Sequence, residues 1–350
     1  MQPGSFATAF VWAVLPGLVL LLCLYAIDRY EKEPIRLVAI AVLFGAVLAP
    51  AITVAIQTVL GVPTSMVVQT VVPASRLNLT TPVVEGVVLG LTIAVVCWLV
   101  RGEIDGLLDG VIYGAAVAIG FGMTATFVAI IRTPSLGQSV TPSLFSAMVA
   151  GLNVVLYGGV VGLAIAAVRT RGAGAFALAA LVGTAVTTTL LVLHDYIPSW
   201  VGSPASDASG STFRAFLTGL PNLLGLAALV VLAVWSASRD QSIVTRQLRD
   251  EVATGLVTAE DYGVVTHPFK RAGALLSALV RRGATAWRIL RGLYATEVEL
   301  AYAKQRSDQD GHAGPASGEP ASGDEGRVSA LRARIAQAQQ ALVAAGGRTT

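Results

Sequence analysis

Apolar residues run through this chain in long unbroken blocks. Seven of them, roughly 7–27, 36–61, 82–100, 107–131, 144–168, 174–194 and 213–236, each hold about the 20 residues that a helix needs to cross a bilayer. Alternation of period two, which a transmembrane barrel requires, is absent. The pattern predicts an all-α polytopic membrane protein with about seven transmembrane helices in a bundle. After Ser236 the blocks give way to a charged, helix-periodic sequence, which predicts a cytoplasmic helical tail.

Composition agrees with the pattern. The chain has 350 residues, of which 54% are hydrophobic and only 13% charged, and its mean hydropathy is +0.70; these are not the values of a soluble domain. Residues 1–236 carry nine Lys/Arg and nine Asp/Glu, against fifteen and twelve in residues 237–350, so the domain boundary falls near Ser236. The links after the first, third, fifth and seventh blocks hold Arg29, Lys32 and Arg36, then Arg101, then Arg169 and Arg171, then the Arg-rich tail. The other links hold Arg76, Arg132 and Arg214, one each. By the positive-inside rule the N-terminus is outside and the C-terminus cytoplasmic, in a multi-pass protein of the plasma membrane. No basic residue precedes the first block, and Asp28-Arg29-Tyr30-Glu31-Lys32-Glu33-Pro34 follows it, so it reads as an anchor rather than a signal peptide. Cys23 and Cys97 fall in the middle of spans and read as small apolar packers.

Candidate chemistry concentrates between Thr80 and Phe127. Glu85 lies about one turn inside the third block, and a carboxylate there is costly enough to count as a functional-site candidate. One reading makes it a general base whose pKa burial has raised; the other makes it a partner for the positive end of a helix. Gly110 and Gly114, continued by Ala118 and Gly122, form a small-residue stripe, and Gly158 and Gly162 repeat it on the fifth block. Such stripes bring helix backbones close. They also leave room for an extended substrate, which Gly114, Gly122 and Phe121 would line. Asp109 opens the fourth span as a cap or a partner for Arg101. His194 ends the sixth block beside Asp195, Tyr196 and Trp200, as a metal ligand or as an interfacial ring.

The order Pro82-Val83-Val84-Glu85, then Asp109-Gly110-Val111-Ile112-Tyr113-Gly114, then Gly120-Phe121 resembles the PrsW family of intramembrane metalloproteases. That family carries Glu-Glu-x-x-Lys at the first site, Phe-x-x-x-Glu at the second and a histidine at the third. Here Glu85 matches the first Glu, while Gly86 and Leu89 stand where the second Glu and the Lys belong. Phe121 is kept, Ala125 takes the place of the Glu, and Ser143 that of the histidine. The resemblance implies catalytic roles for Glu85 and His194, with His194 as the metal ligand. With the other groups replaced, it implies a degenerate member that binds a single-span membrane protein segment as scaffold or regulator, with no cofactor. The alternative is an active intramembrane metalloprotease using Glu85, His194 and zinc. By the predicted topology, Glu85, Ala125, Ser143 and His194 all lie toward the outer leaflet.

The tail divides into amphipathic helices over 237–306, a disordered linker over 307–327 rich in Gly, Pro, Ser and acid, and a short helix over 328–350. Thr258 with Asp261 three residues on marks a helix start. Leu275, Leu276, Leu279, Val280, Trp287, Leu290 and Leu293 recur among Arg281, Arg282, Arg288 and Arg291, a face suited to an anionic bilayer or a partner helix. Leu331, Ile335, Ala338 and Leu342 make a seam expected to fold back on 272–304 or to pair with another chain, so residues 272–345 offer a surface for a cytoplasmic helical partner. No phosphate loop, nucleotide fingerprint or nucleic-acid motif is present.

Overall fold

A computed structural model of the protein describes residues 3–27, 33–62, 79–104, 106–132, 140–169, 171–200, 241–313 and 322–344, with isolated helical positions between 223 and 239. They divide into two compact units, Met1–Val234 and Trp235–Thr350. Among the described residues every regular element is helical.

The first unit contains α1 (Pro3–Ile27), α2 (Ile35–Leu43), α3 (Ala49–Val59), α4 (Thr80–Leu99), α5 (Leu107–Arg132), α6 (Val140–Ala166) and α7 (Ala173–Trp200). Among the described residues four stretches are long and apolar enough to cross a membrane: Ile35–Val59, Thr80–Leu99, Leu107–Val128 and Ala173–His194. Ala9–Tyr25 and Leu152–Ala166 are shorter apolar helices. Six of the seven predicted blocks are thus helical, and the seventh, 213–236, lies mostly outside the described residues. Leu91, Leu99, Leu178 and Leu181 are each more than half exposed, as expected where the surrounding solvent is lipid. Cys97 is fully buried but Cys23 is exposed; in hydrocarbon an apolar thiol needs no protein around it.

α5 is the central helix, and its neighbours set the register of the bundle. A Cβ on Gly110 would overlap the carbonyl of Gly162, and one on Gly114 the carbonyl of Gly158, so the two glycine stripes meet each other in an antiparallel crossing of bare backbones. Against α2 the direction is parallel: Glu33 accepts a hydrogen bond from the Tyr113 hydroxyl, and Thr124 bonds to Ala46. Val88, Leu89, Ile93, Tyr113, Val117, Phe121, Val161 and Ile165 form the common core. At the start of α5 the Gly106 N–H donates to Asp109 Oδ2 at 2.5 Å, so Asp109 is a cap reaching back from the first turn.

α2 and α3 make one span interrupted by a π-helical segment, Phe44–Leu48, in which the Ala49 N–H reaches five residues back to the Phe44 carbonyl. The cause is Pro50, buried in the first turn of α3. Having no N–H, it cannot donate to the Ala46 carbonyl as an α-helix would demand. The Thr124 hydroxyl donates to that carbonyl instead, at 2.6 Å, the kind of repair a membrane interior requires.

The second unit is helical over 241–253 (α8), then in α9 (Ala259–Val265), α10 (Pro268–Ala313) and α11 (Ser322–Ala344). Thr258 is extended (φ −73°, ψ 152°) and its side chain accepts from the Asp261 N–H, the cap read from the sequence. α10 departs from a single amphipathic helix because Gly283 breaks it at φ 84°, ψ 179°, a conformation open essentially to glycine alone. Before the break Leu276 and Val280 are exposed; after it Leu293 and Leu300 are fully buried. α10 also runs past Ser307 to Ala313, and α11 begins at Ser322, so both ends of the stretch expected as a linker over 307–327 are helical, and the rest of it lies outside the described residues. In α11, Leu331, Ile335 and Leu342 are buried, and Arg327 pairs with Glu299 at 3.1 Å. The seam therefore folds back within its own unit. Glu251, 2% exposed, sits at the centre: Arg332 donates to both its oxygens at 2.6 and 3.1 Å, and Lys304 donates at 3.0 Å.

Candidate functional site

Helix registers bring the sequence-predicted residues to one end of the first unit. Gly86 packs on Thr188 and Gly90 on Thr184, so α4 and α7 run antiparallel and Glu85 stands level with residue 189. His194 is five residues beyond that level, about 8 Å along the axis at ~1.5 Å per residue. Glu85 lies fourteen residues before the end of α4 at Leu99, and Phe121 fourteen after the start of α5 at Leu107, which puts them at one depth. Ala125 is one turn farther toward the same end, and Ser143 is in the first turn of α6, which is antiparallel to α5. Glu85 and His194 are both half-buried. The helix does not stop at His194 as the hydropathy suggested but continues to Trp200, since backbone hydrogen bonding does not end where apolarity does.

The remaining candidate positions are occupied by packing. A Cβ on Gly86 would lie 2.5 Å from Thr188 Oγ1 and 2.7 Å from Thr188 Cα. Leu89 is 2% exposed in the common core, and Ala125 packs against that core. Phe121 is buried there too, Gly122 faces Val154, and the space beside Gly114 is filled by the Gly158 carbonyl.

Two residues escaped the sequence reading. Thr53 and Gln57, one turn apart on α3, are both fully buried. Among the described residues neither Thr53 Oγ1 nor either amide atom of Gln57 has a hydrogen-bond partner, and the same holds for Thr188 Oγ1. Each such atom costs about 1–3 kcal/mol of lost hydration. The end of α3 and the start of α4 flank the same connection, so Thr53 and Gln57 lie at the Glu85 end. The signal was available: Gln57 is the one amide side chain in the apolar block 36–61.

Fold and site together define a polytopic helical membrane protein with a carboxylate, a histidine and a set of unpartnered polar groups gathered at one end of its bundle. The family model for PrsW family intramembrane metalloproteases matches residues 33–217, just over half the chain. The chain belongs to that family. No curated protein and no solved structure matches it.

A family of metalloproteases implies zinc, which in catalytic sites takes three protein ligands and keeps a fourth position open. At this end the described side chains offer His194 and Glu85, about 8 Å apart in depth by the register above, while Gly86, Leu89 and Ala125 offer nothing. Among the described residues no three His, Cys, Asp or Glu side chains cluster closely enough to share an ion. This donor set does not fit a catalytic zinc.

Proposed function

We propose that this PrsW family member binds membrane-spanning segments of other proteins without hydrolysing them, as a scaffold or regulator, with Glu85 at its binding end. The observation that carries the reading is the contact of Gly86 with Thr188. Where the family motif would continue with a second carboxylate, the α4–α7 crossing has closed down to backbone distance. Leu89 and Ala125 support it in the same way, because their positions serve the apolar core. Losing several members of a catalytic unit leaves little rate for the rest to supply.

A second reading draws support from the placement of Glu85 and His194 toward the same end of the bundle. In it Glu85 takes a proton from water as general base, and His194 holds that water. Elemental analysis for zinc, together with cleavage of a panel of single-span substrates by native protein and E85Q, separates the two. No cleavage and no stoichiometric zinc is the expected outcome; one zinc per chain with cleavage that E85Q abolishes would establish the protease. The basic links orient the Glu85 end toward the outer leaflet and the second unit toward the cytoplasm. Alkaline phosphatase fused to the C-terminus is accordingly expected to be inactive, and an active fusion would invert the topology.

A further inference from the structure

Threonines in these helices usually satisfy their own hydroxyls. Thr58 donates to Val54 at 2.7 Å, Thr92 to Val88 at 2.8 Å and Thr189 to Ala185 at 2.8 Å, each one turn back. Thr53 does not use that bond, although the Ala49 carbonyl is the same distance back along its helix. One turn on, Gln57 brings a donor and an acceptor to the same buried side of α3, again with no partner among the described residues. Three polar functions are therefore buried together on α3 without partners among the described residues.

The backbone beneath them is built to turn. Pro50 and the π-helical segment interrupt the hydrogen-bond ladder just before α3 begins, and the Thr124 hydroxyl already covers the carbonyl left without its donor. Prolines and π turns are the places where helices bend.

We propose that Thr53 and Gln57, toward the same end of the bundle as Glu85, bind the main chain of an unwound, extended membrane-spanning peptide that enters between α3 and α4. A carboxamide both donates and accepts, which is the demand of a peptide group, and the two side chains are neutral, as that group is. Their spacing fits as well. Four residues on a helix advance about 6 Å, and two residues on a strand about 6.6 Å, so both side chains meet the same edge of an extended chain. A helical segment has already satisfied its own backbone and gives them nothing to bind. This inference rests on the proposed function and adds to it the conformation that is recognised and the residues that recognise it.

The test uses the full-length protein in phosphatidylcholine/phosphatidylglycerol liposomes and two synthetic single-span peptides of about 20 residues. Both carry a central benzophenone; one is uniformly Leu/Ala, and the other has a Gly-Pro-Gly break beside the label. Native protein is expected to capture the broken peptide about tenfold more than the helical one, the ratio of a single good hydrogen bond, with crosslinks on 49–59 and 80–92. T53V/Q57L is expected to lose that preference while its thermal midpoint stays level or rises, since unpartnered polar atoms are removed. T53S, which keeps the hydroxyl, should behave as native. If the double variant does not fold, the single variants T53V and Q57M carry the comparison. Equal capture by native and variant protein would overturn the inference and leave the proposed function standing. Failure of native protein to capture either peptide would sink both, and a lowered midpoint in T53V and Q57M alike would make these groups structural and the inference wrong.

Discussion

Placing a carboxylate at position 86 tests whether the glycine there is a choice of side chain or a requirement of the fold. An Ala Cβ at Gly86 meets Thr188 Oγ1 at 2.5 Å and Thr188 Cα at 2.7 Å, whereas carbon atoms rest at about 3.5–4.0 Å. The oxygen can rotate away, but the Cα is backbone, so the helices must part by roughly 1 Å. Overpacking of this kind costs about 1–3 kcal/mol, offset by up to ~1 kcal/mol from replacing a helical glycine with alanine. G86A should therefore lose ~1–2 kcal/mol net, a fall of about 2–8 °C at the ~2–4 °C per kcal/mol expected of a domain this size. G86E adds a further methylene and a carboxylate against Thr188, and should fall by at least twice as much. T188G removes the Thr Cβ and Oγ1 but not the Cα, so it should rescue G86A only in part. The assay is the thermal midpoint of detergent-purified protein, followed by intrinsic fluorescence, with zinc measured on G86E. A midpoint of G86A at or above native would refute the close crossing, and zinc uptake by G86E would return this chain to the ranks of near-active enzymes.

Two other perturbations read different parts of the molecule. T124V removes the hydroxyl that serves the Ala46 carbonyl and should cost about 1–2 kcal/mol; adding P50A, which restores the N–H donor, should recover most of it, and hydrogen exchange over 42–52 would reveal a failure to do so. In the second unit burial pushes Glu251 up, but its hydrogen bonds to Arg332 and Lys304 outweigh that and hold it below the usual carboxylate range. Its stabilisation is thus present above about pH 4.3, the ordinary Glu value, and lost as pH falls through its lower folded value. E251Q should cost ~1–3 kcal/mol at neutral pH, toward the low end because Arg332 is half exposed, and it should flatten the acid dependence of exchange protection over 241–344. An unchanged acid profile would show that another group carries it.

The spans were legible in the sequence because a bilayer imposes a length, and apolar blocks of that length have one use. That Glu85, Ala125, Ser143 and His194 fall toward one end of the bundle was legible for a related reason, since consecutive spans must alternate in direction and a residue's distance from a span end then fixes its level. Partnerships were harder. The glycine stripes of α5 and α6 announced close packing, but only the fold reveals that Gly110 and Gly114 meet Gly162 and Gly158, leaving no gap beside Gly114 for a substrate. Pro50 is visible as a helix disturbance, yet whether the helix kinks, ends or widens into a π turn depends on whether a neighbour such as Thr124 can serve the orphaned carbonyl. Gln57 reads as a tolerated polar residue in an apolar run until its face is known. Gly283 follows two arginines in a periodic stretch, and nothing local distinguishes a glycine that a helix absorbs from one that breaks it.

The scaffold and the polar groups answer to different energies. The crossings of α4 on α7 and of α5 on α6 are made by backbone contacts at Gly86, Gly110 and Gly114 and by a core from Leu89 to Ile165; none of them depends on an acid, a base or a metal. A bundle of this kind stays folded when its catalytic groups are replaced, so fold alone does not testify to activity. The polar end behaves otherwise. Thr53 Oγ1, both amide atoms of Gln57 and Thr188 Oγ1, at about 1–3 kcal/mol each, together weigh against folding by an amount comparable with the ~5–15 kcal/mol net stability of a typical protein. Valine in place of either threonine, or leucine in place of Gln57, would remove those unpartnered atoms. If Thr53 and Gln57 take an extended peptide as proposed, their share of that penalty is relieved when the peptide's complementary hydrogen-bonding groups reach them.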